Sequence, residues 1–197
     1  MTTNIFDGLT RDDETLDRLH RQLECAAGDE GVLDVAYRMV DSPVGPLLLA
    51  ATTVGLVRVA FDVEGHDTVL ARLAQTVSPR ILRAPARLDT VAYQLDEYFA
   101  KRRTAFEVPV DLRLAAGFRR SVIEHLREIG YGRRESYAAV AAAVGNPRAV
   151  RAVGSACAHN PLPVVFPCHR VVRSDGSPGQ YVGGPNAKST LLSLEAA

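Results

Sequence analysis

The sequence predicts an α+β fold in which a small antiparallel sheet with helices precedes a mainly helical C-terminal unit. Short β-rich runs separated by turn residues lie before residue 62, whereas the apolar patterns after residue 112 have helical spacing. The chain has 197 residues, 47% hydrophobic and 23% charged, which is enough for one large or two small globular domains. We therefore expect a helical extension at residues 1–30, a sheet domain at 31–111 and a helical domain at 112–197.

The N-terminal extension contains one amphipathic helical pattern. Leu16, Leu19 and Leu23 recur at helical spacing, Thr10 can cap the helix and Gly28 can end it, so we expect the leucines to pack against the protein. The chain begins with acidic and polar residues, unlike a secretory signal, and it has no apolar run of membrane-spanning length. These features favour a cytoplasmic protein without a membrane partner.

The sheet domain opens with three runs of strand-forming residues, at 35–40 (VAYRMV), 46–52 (PLLLAAT) and 56–61 (LVRVAF). The intervening segments DSPVG and TVG are typical of turns, which predicts three consecutive antiparallel strands. Helices are expected around residues 67–77 and 86–100, and the strand-like run FEVPVDL at 106–112 leads out of the domain.

The helical domain contains three helical patterns, at residues 115–130, 136–145 and 147–159. The last two are joined by a tight turn in which Asn146 can act as N-cap and Pro147 can occupy the first helical position. Two short helices across a glycine-containing turn predict a helix-turn-helix.

The second helix of this pair is built mostly from small residues: Ala149, Ala152, Gly154, Ser155, Ala156 and Ala158. Arg148 and Arg151 stand out from this thin surface. Such a helix could enter the minor groove of DNA, which is about 6 Å wide. Small residues also permit close packing between helices, and composition leaves both interpretations open.

The charges of the two halves differ although the net charge is zero. Residues 1–112 carry 12 basic and 18 acidic residues, net −6, whereas residues 113–197 carry 11 and 5, net +6. A basic C-terminal half is expected of a nucleic-acid-binding domain, although it could also dock on the acidic half.

The three cysteines, Cys25, Cys157 and Cys168, are too few and too scattered for a disulfide framework or a zinc site. His20 and Cys25 are close in sequence, but two ligands do not make a site, so we expect a surface histidine and a buried thiol. Cys157 lies on the small-residue helix and is interpreted as a packing residue. No metal is expected.

Cys168 lies on a segment that its prolines make stiff. Pro161, Pro163 and Pro167 each fix φ and keep the preceding residue extended. A nucleophile on a stiff segment loses less entropy when it reacts. His169 follows directly, and the glycines of the later run YVGG at 181–184 allow the backbone to approach a ligand.

This segment resembles the active-site block of the O6-alkylguanine-DNA alkyltransferases. The resemblance rests on PCHRVV at 167–172, on NPLPVV before it, and on SDG, YVGG and a lysine after it. The upstream run YGRRESYAAVAAAVGNPRAVRAVGSA is similar to the helix-turn-helix of that family. The similarity extends from about residue 35 to the C-terminus and implies an RNase-H-like domain followed by a winged-helix-like domain.

The resemblance implies a single-use alkyl transfer without a cofactor. Cys168 would take the alkyl group from O6-alkylguanine, with O4-alkylthymine as a second candidate substrate, and keep it as a thioether that water does not cleave. His169, acting through a water and paired with Glu195, would draw off the thiol proton. Tyr137 and Lys188 would stabilise the departing guanine.

The resemblance also implies double-stranded DNA containing alkylated guanine as the partner of a monomeric protein. The target base must leave the stack, and Arg151 would fill the space it vacates. The helix carrying Ala152, Gly154 and Ser155 would enter the minor groove, with Asn160 as a hinge. The residues implied for the substrate pocket are Tyr181, Val182 and Gly183.

Five residues depart from the usual family pattern and are expected to surround the pocket and affect the range of alkyl groups: Ile123, Gly130, Phe166, Gln180 and Val182.

Two other functions compete with alkyl transfer. A non-catalytic module that binds alkylated bases would lack the acceptor, so the presence of Cys168 argues against it. A cysteine hydrolase would need a histidine facing the thiol, but adjacent residues such as Cys168 and His169 seldom point at each other. His66, His125 and His159 lie in no recognisable catalytic signature.

Overall fold

The computed structural model describes residues 13–196. Its sheet is formed by β1 (Val35–Val40), β2 (Leu47–Ala51), β3 (Leu56–Phe61) and β4 (Ile81–Arg83), in the order β3-β2-β1-β4. The antiparallel pairing of β1 with β2 and of β2 with β3 confirms the three predicted strands. The prediction missed β4, which pairs parallel to β1, because three residues between prolines show no strand periodicity.

Helices α2 (His66–Thr76) and α3 (Asp89–Phe99) lie where helices were expected. The strand expected at residues 106–112 is wrong, since only Val110 forms an isolated bridge, to Leu56. Pro109 within this run has no backbone N–H and cannot donate to a ladder. The extended segment still contacts β3 through its backbone, and the Leu56 N–H donates to the Pro109 carbonyl at 2.9 Å.

Helix α1 (Asp13–Asp29) confirms the N-terminal helix but not its packing. Its three leucines point to solvent, with exposed fractions of 55%, 49% and 55% for Leu16, Leu19 and Leu23. The helix instead contacts β4 through His20, whose Nε2 lies 2.6 Å from the Arg83 carbonyl. Cys25 is also exposed, so the expected buried thiol is wrong. The cap expected at Thr10 lies outside the described residues.

The C-terminal part contains α4 (Gly117–Leu126), α5 (Tyr137–Ala143), α6 (Val150–Ala158) and α7 (Gly184–Glu195), together with the parallel pair β5 (Glu135–Ser136) and β6 (Val171–Val172). Helices α5 and α6 form the predicted helix-turn-helix, but α6 begins at Val150 and not at Pro147. Asn146 is therefore not its N-cap. The Ala149 N–H donates to the Asn146 carbonyl at 2.9 Å, which closes a turn before the helix.

The largest hydrophobic core joins the two predicted domains. We call residues 35–112 the sheet region and residues 117–196 the helical region. Phe61, Leu95 and Tyr98 of the sheet region pack in one cluster with Phe166 and Leu191 of the helical region. A second core holds α4, α5 and α6 together and includes Cys168. The segment that carries Cys168 thus lies between two packed cores. Within residues 13–196, no helix has the length and hydrophobicity needed to cross a membrane.

Candidate active site around Cys168

Cys168 begins a short 3-10 turn within the buried run of residues 160–172, and its own side chain is 1% exposed. The buried Asn160 closes this segment into a loop. Its Nδ2 donates to the Phe166 carbonyl at 2.8 Å, and its Oδ1 accepts from the Leu162 N–H at 3.0 Å. Val164 within the loop has a φ of +72°, which β-branched residues rarely adopt. The loop is therefore fixed by its surroundings, as the prolines suggested.

The Cys168 thiol is protonated at neutral pH in this environment. Burial raises its pKa to about 11, although Asn160, Lys188 and Tyr181 lower the pKa in part. A neutral thiol attacks poorly, so any reaction at this sulfur needs a group that removes the thiol proton.

His169 is the nearest candidate for that group in sequence. It is fully buried, and its Nε2 lies 2.9 Å from Oε1 of Glu195. A carboxylate accepts hydrogen bonds, so Nε2 carries the hydrogen and Nδ1 is left as an acceptor. Nδ1 is buried and bonded to no described side chain or backbone group. Burial also lowers the pKa of His169, which keeps the imidazole neutral.

Glu195 has donors that the sequence did not suggest. Arg170 contacts both carboxylate oxygens, with Nε at 2.9 Å and Nη2 at 2.8 Å, and the Tyr98 hydroxyl donates at 2.7 Å. Burial alone would raise the pKa of Glu195, but the hydrogen bonds from His169, Arg170 and Tyr98 hold it well below its ordinary value. Arg170 is part of the PCHR block and could have been suspected. Tyr98 belongs only to the apolar pattern of α3, which gives no functional signal.

Tyr137 packs against the core cluster that contains Cys168, and Lys188 is close enough to interact electrostatically with that thiol. The Tyr137 ring lies directly against Gly179, where a Cβ would be 2.3 Å from the hydroxyl oxygen, so a larger residue at 179 would displace the ring. Burial raises the pKa of Tyr137 to about 12, so its hydroxyl remains a donor. Lys188 is buried, donates from Nζ to the Val171 carbonyl at 2.7 Å and lies 5.9 Å from the Tyr137 ring centroid.

The loop with Tyr181, Val182 and Gly183 closes the site on another side. The Tyr181 ring lies edge-on to Phe61 at 5.5 Å and to His169 at 6.3 Å. A Cβ at Gly183 would lie 2.8 Å from the Phe61 ring, so this contact requires glycine. Phe61 of β3 therefore packs directly against this loop.

A depression of about 410 Å³ adjoins this loop and the end of α6; its lining includes Ala158, Arg173, Gly179, Gln180, Tyr181 and Val182. Gln180 and Val182 are the only two of the five departures from the family pattern that line it. Ile123 is buried in the core, and Gly130 and Phe166 line depressions elsewhere. These three residues therefore do not line the depression beside Tyr181, and their effect on the range of alkyl groups stays a prediction.

The outer face of α6 is exposed to solvent and carries mostly small side chains. Arg151, Ala152 and Ser155 are exposed, whereas Val153 and Ala156 are buried against the domain. A Cβ at Gly154 would meet nothing within 4 Å. Close packing therefore explains the small residue at 156 but not those at 152, 154 and 155.

Three other side chains that could act as nucleophiles or metal ligands are buried or hydrogen-bonded within the protein. Cys157 is buried in the same cluster as Cys168, and burial raises its pKa far above the ordinary value. His125 Nε2 lies 2.9 Å from a Glu135 oxygen, and His159 Nδ1 lies 2.8 Å from the Ser155 carbonyl. Among residues 13–196, no three histidine, cysteine or acidic side chains are grouped as metal ligands.

Two family models match the chain. Residues 35–112 match the ribonuclease-like domain of 6-O-methylguanine DNA methyltransferase, and residues 117–197 match its DNA-binding domain.

Similar proteins carry corresponding names. The methylated-DNA--protein-cysteine methyltransferase of Mycobacterium tuberculosis H37Rv is 39% identical over 167 residues, covering 82% of this chain and 92% of the relative. The bifunctional transcriptional activator/DNA repair enzyme Ada of Escherichia coli K12 is 37% identical, covering 93% of this chain and 51% of the relative. The crystal structure of M. tuberculosis OGT in complex with DNA is 38% identical with a TM-score of 0.71, covering 82% and 92% of the two chains.

Proposed function

The chain belongs to the 6-O-methylguanine DNA methyltransferase family, and we propose that it repairs DNA by moving the alkyl group of O6-alkylguanine onto Sγ of Cys168. The observation that carries the proposal is the buried thiol beside a neutral His169 whose orientation Glu195 fixes. The activity that this family and these relatives support is that of a methylated-DNA–protein-cysteine methyltransferase.

The reaction proceeds by displacement at the alkyl carbon. His169 Nδ1 accepts the thiol proton of Cys168 through a water molecule, while Sγ forms a bond to the alkyl carbon. The bond between that carbon and O6 breaks, and its electron pair remains on the guanine. The Tyr137 hydroxyl donates to the guanine as negative charge develops there, and the Lys188 ammonium, whose Nζ lies 5.9 Å from the Tyr137 ring centroid, adds positive charge to this side of the site.

The product is a thioether, which offers water no good leaving group. Each molecule therefore reacts once, and the reaction requires no cofactor. The substrate lies against Tyr181, Val182 and Gly183, beside the depression that Gln180 also lines. Variation at Gln180 and Val182 sets which alkyl groups fit, and O4-alkylthymine is a second substrate to be tested.

Double-stranded DNA binds to the exposed face of α6, which enters the minor groove. The thin surface at Ala152, Gly154 and Ser155 allows the helix to approach, and Arg151 fills the space of the extruded base. Asn160 links the end of α6 to the segment that carries Cys168. The related structure of the M. tuberculosis protein with DNA supports DNA as the partner. We also propose that the protein acts as a monomer, in the cytoplasm, on chromosomal DNA.

Intact-protein and peptide mass spectrometry test this function after incubation with a duplex containing O6-methylguanine. The expected result is one added methyl group per molecule on the Cys168 peptide, with no further product when DNA is in excess. Cys168→Ala should abolish the transfer and still bind the duplex, whereas Cys157→Ala should react as the wild type does.

Three outcomes would contradict the proposal. Binding without a mass change would favour a module that only recognises alkylated bases. Sustained turnover would favour a hydrolase. Methylation of Cys157 would show that the acceptor is wrong.

A further inference from the structure

Tyr98 belongs to the sheet region and is connected to His169 through the Glu195 carboxylate, to which both side chains are hydrogen-bonded. It lies near the end of α3, and its ring is fully buried beside Phe99, Phe106 and Tyr131. Its hydroxyl donates to Oε1 of Glu195 at 2.7 Å. Burial raises the pKa of Tyr98 far above its ordinary value, so the hydroxyl is a donor throughout the accessible pH range.

The two oxygens of Glu195 have different partners. Oε1 accepts from Tyr98 at 2.7 Å, from Arg170 Nη2 at 2.8 Å and from His169 Nε2 at 2.9 Å. Oε2 accepts from Arg170 Nε at 2.9 Å and from the Gly132 N–H at 3.3 Å. Tyr98 and His169 therefore share one acceptor atom, and each affects how strongly the other is bound.

We propose that Tyr98 is a positioning residue for alkyl transfer, which holds Oε1 of Glu195 against His169 Nε2 and limits the negative charge that this oxygen presents to the imidazole. The inference rests on the proposed function, because it concerns the base in that reaction. Tyr98 touches neither the thiol nor the substrate, so it is not a catalytic residue.

The physical effect follows from the protonation state that the reaction needs. His169 can accept a proton at Nδ1 only while the imidazole is neutral. A carboxylate that lacks one of its donors interacts more strongly with the remaining ones, which favours the imidazolium. The charged and titratable groups that face His169 or Glu195 are Cys168, Arg170, Tyr181 and Lys188, with Tyr98 and Tyr131. Of these, Tyr98 is the uncharged group that donates a hydrogen bond to Oε1 of Glu195, the same atom that accepts from His169.

Tyr98→Phe removes this donor and keeps the buried ring. Tyr131→Phe is the matched control, since the Tyr131 hydroxyl donates to the Leu194 carbonyl at 3.2 Å and not to the carboxylate. Both variants lose one hydroxyl beside the end of α7, so a general loosening of that helix would affect both.

Two measurements test the inference on the full chain. The first is an NMR titration of the His169 imidazole, which needs no substrate and is independent of whether transfer occurs. The second is the pH profile of single-turnover transfer from free O6-methylguanine base, which needs no DNA binding. In Tyr98→Phe we expect the His169 pKa and the acid limb of the profile to move upward together, by about half a pH unit or more.

The outcomes separate the two proposals. A wild-type protein that transfers no methyl group refutes the proposed function, while the NMR titration still decides the role of Tyr98. An unchanged His169 titration in Tyr98→Phe, or the same shift in Tyr131→Phe, overturns the inference. A transfer rate that falls equally at every pH, with no shift of the acid limb, also overturns it, because that result indicates structural support only.

Discussion

The sheet region and the helical region contribute to the site in different ways. Every side chain that we propose reacts or contacts the leaving base lies in residues 117–196, including Cys168 and Tyr137. Residues 35–112 supply no reacting group, yet their side chains contact the site at Glu195 through Tyr98 and at Gly183 through Phe61. The motif therefore identifies the chemistry, whereas the geometry of the motif depends on residues that carry no motif.

The sheet region also holds the start of the reacting segment. The Val59 N–H donates to the Pro161 carbonyl at 2.8 Å, and Arg58 Nη1 donates to the Asn160 carbonyl at 3.2 Å. Arg58 is itself paired with Glu64. The segment that carries Cys168 is thus anchored at its start to β3. Changing a side chain in the sheet region should therefore affect the reaction in the helical region.

The largest effect is expected at Glu195, where donors from both regions meet. Glu195→Gln would leave the buried Arg170 guanidinium without its counter-charge, so the free energy of unfolding at pH 7 should fall by about 3–5 kcal/mol. The pKa of Glu195 is held below its ordinary value of 4.5, so its contribution is complete above that pH and decreases as the pH falls. The difference from the wild type should therefore shrink below pH 4.5.

Denaturant unfolding across this pH range measures the effect. Glu124→Gln is the control, because Glu124 forms an exposed pair with Arg120 that contributes at most about 1 kcal/mol. A difference that is independent of pH would show that the ionised carboxylate is not the stabilising species. Transfer by the folded Glu195→Gln protein should also be slower, since His169 loses its charged partner.

Phe61→Ala tests whether the sheet region supports the loop of Tyr181 and Gly183. Removing a buried phenylalanine should cost about 3–5 kcal/mol of stability. Transfer from free O6-methylguanine base should also slow, measured at a temperature where the variant remains folded. Leu73→Ala removes a side chain from the separate core under α2, so it should lose stability at about 2–5 kcal/mol without slowing transfer. Equal rate losses in both variants would contradict a specific role for Phe61.

Arg151→Ala separates DNA recognition from the chemistry. Arg151 lies on the exposed face of α6, so repair of duplex DNA should fall by about tenfold or more, the cost of holding an unstacked base. Transfer from the free base should be spared. Arg148→Ala removes a neighbouring exposed charge, so duplex affinity should weaken and its dependence on salt should decrease, with an unchanged rate on saturating DNA. If Arg151→Ala slows both substrates equally, Arg151 supports the fold or the pocket.

The sequence predicted the antiparallel strands, and it singled out the residues that we propose react, because both have local signals. Short runs of strand-forming residues bounded by turn residues indicate strands, and the PCHR context indicates the proposed acceptor cysteine. The short strand β4 and the start of α6 have no such signal, since tertiary contacts determine whether Ile81 pairs with Val35 or Pro147 lies in a turn.

Contacts between distant residues were equally inaccessible to sequence reasoning. Tyr98 and Glu195 are 97 positions apart, and nothing near Tyr98 distinguishes it from a core tyrosine. Conversely, Leu16 and Leu23 have the spacing of a packing face but lie exposed, because amphipathic spacing does not specify what covers the face.

The smallest effect is expected at these exposed leucines of α1. Leu16→Gln should change the free energy of unfolding by less than about 0.5 kcal/mol, because a side chain that is 55% exposed loses little burial when it becomes polar. Leu33→Ala is the contrasting variant, since Leu33 is 4% exposed in the small core beneath the end of α1 and should cost about 2–5 kcal/mol. Transfer to Cys168 should be unaffected by Leu16→Gln, because α1 contacts the sheet through His20 and Ala27 and not through the leucines. Denaturant unfolding at two protein concentrations measures both variants. A large loss for Leu16→Gln that depends on concentration would show that the leucines are covered in solution, and would make α1 a third region with its own contribution to stability.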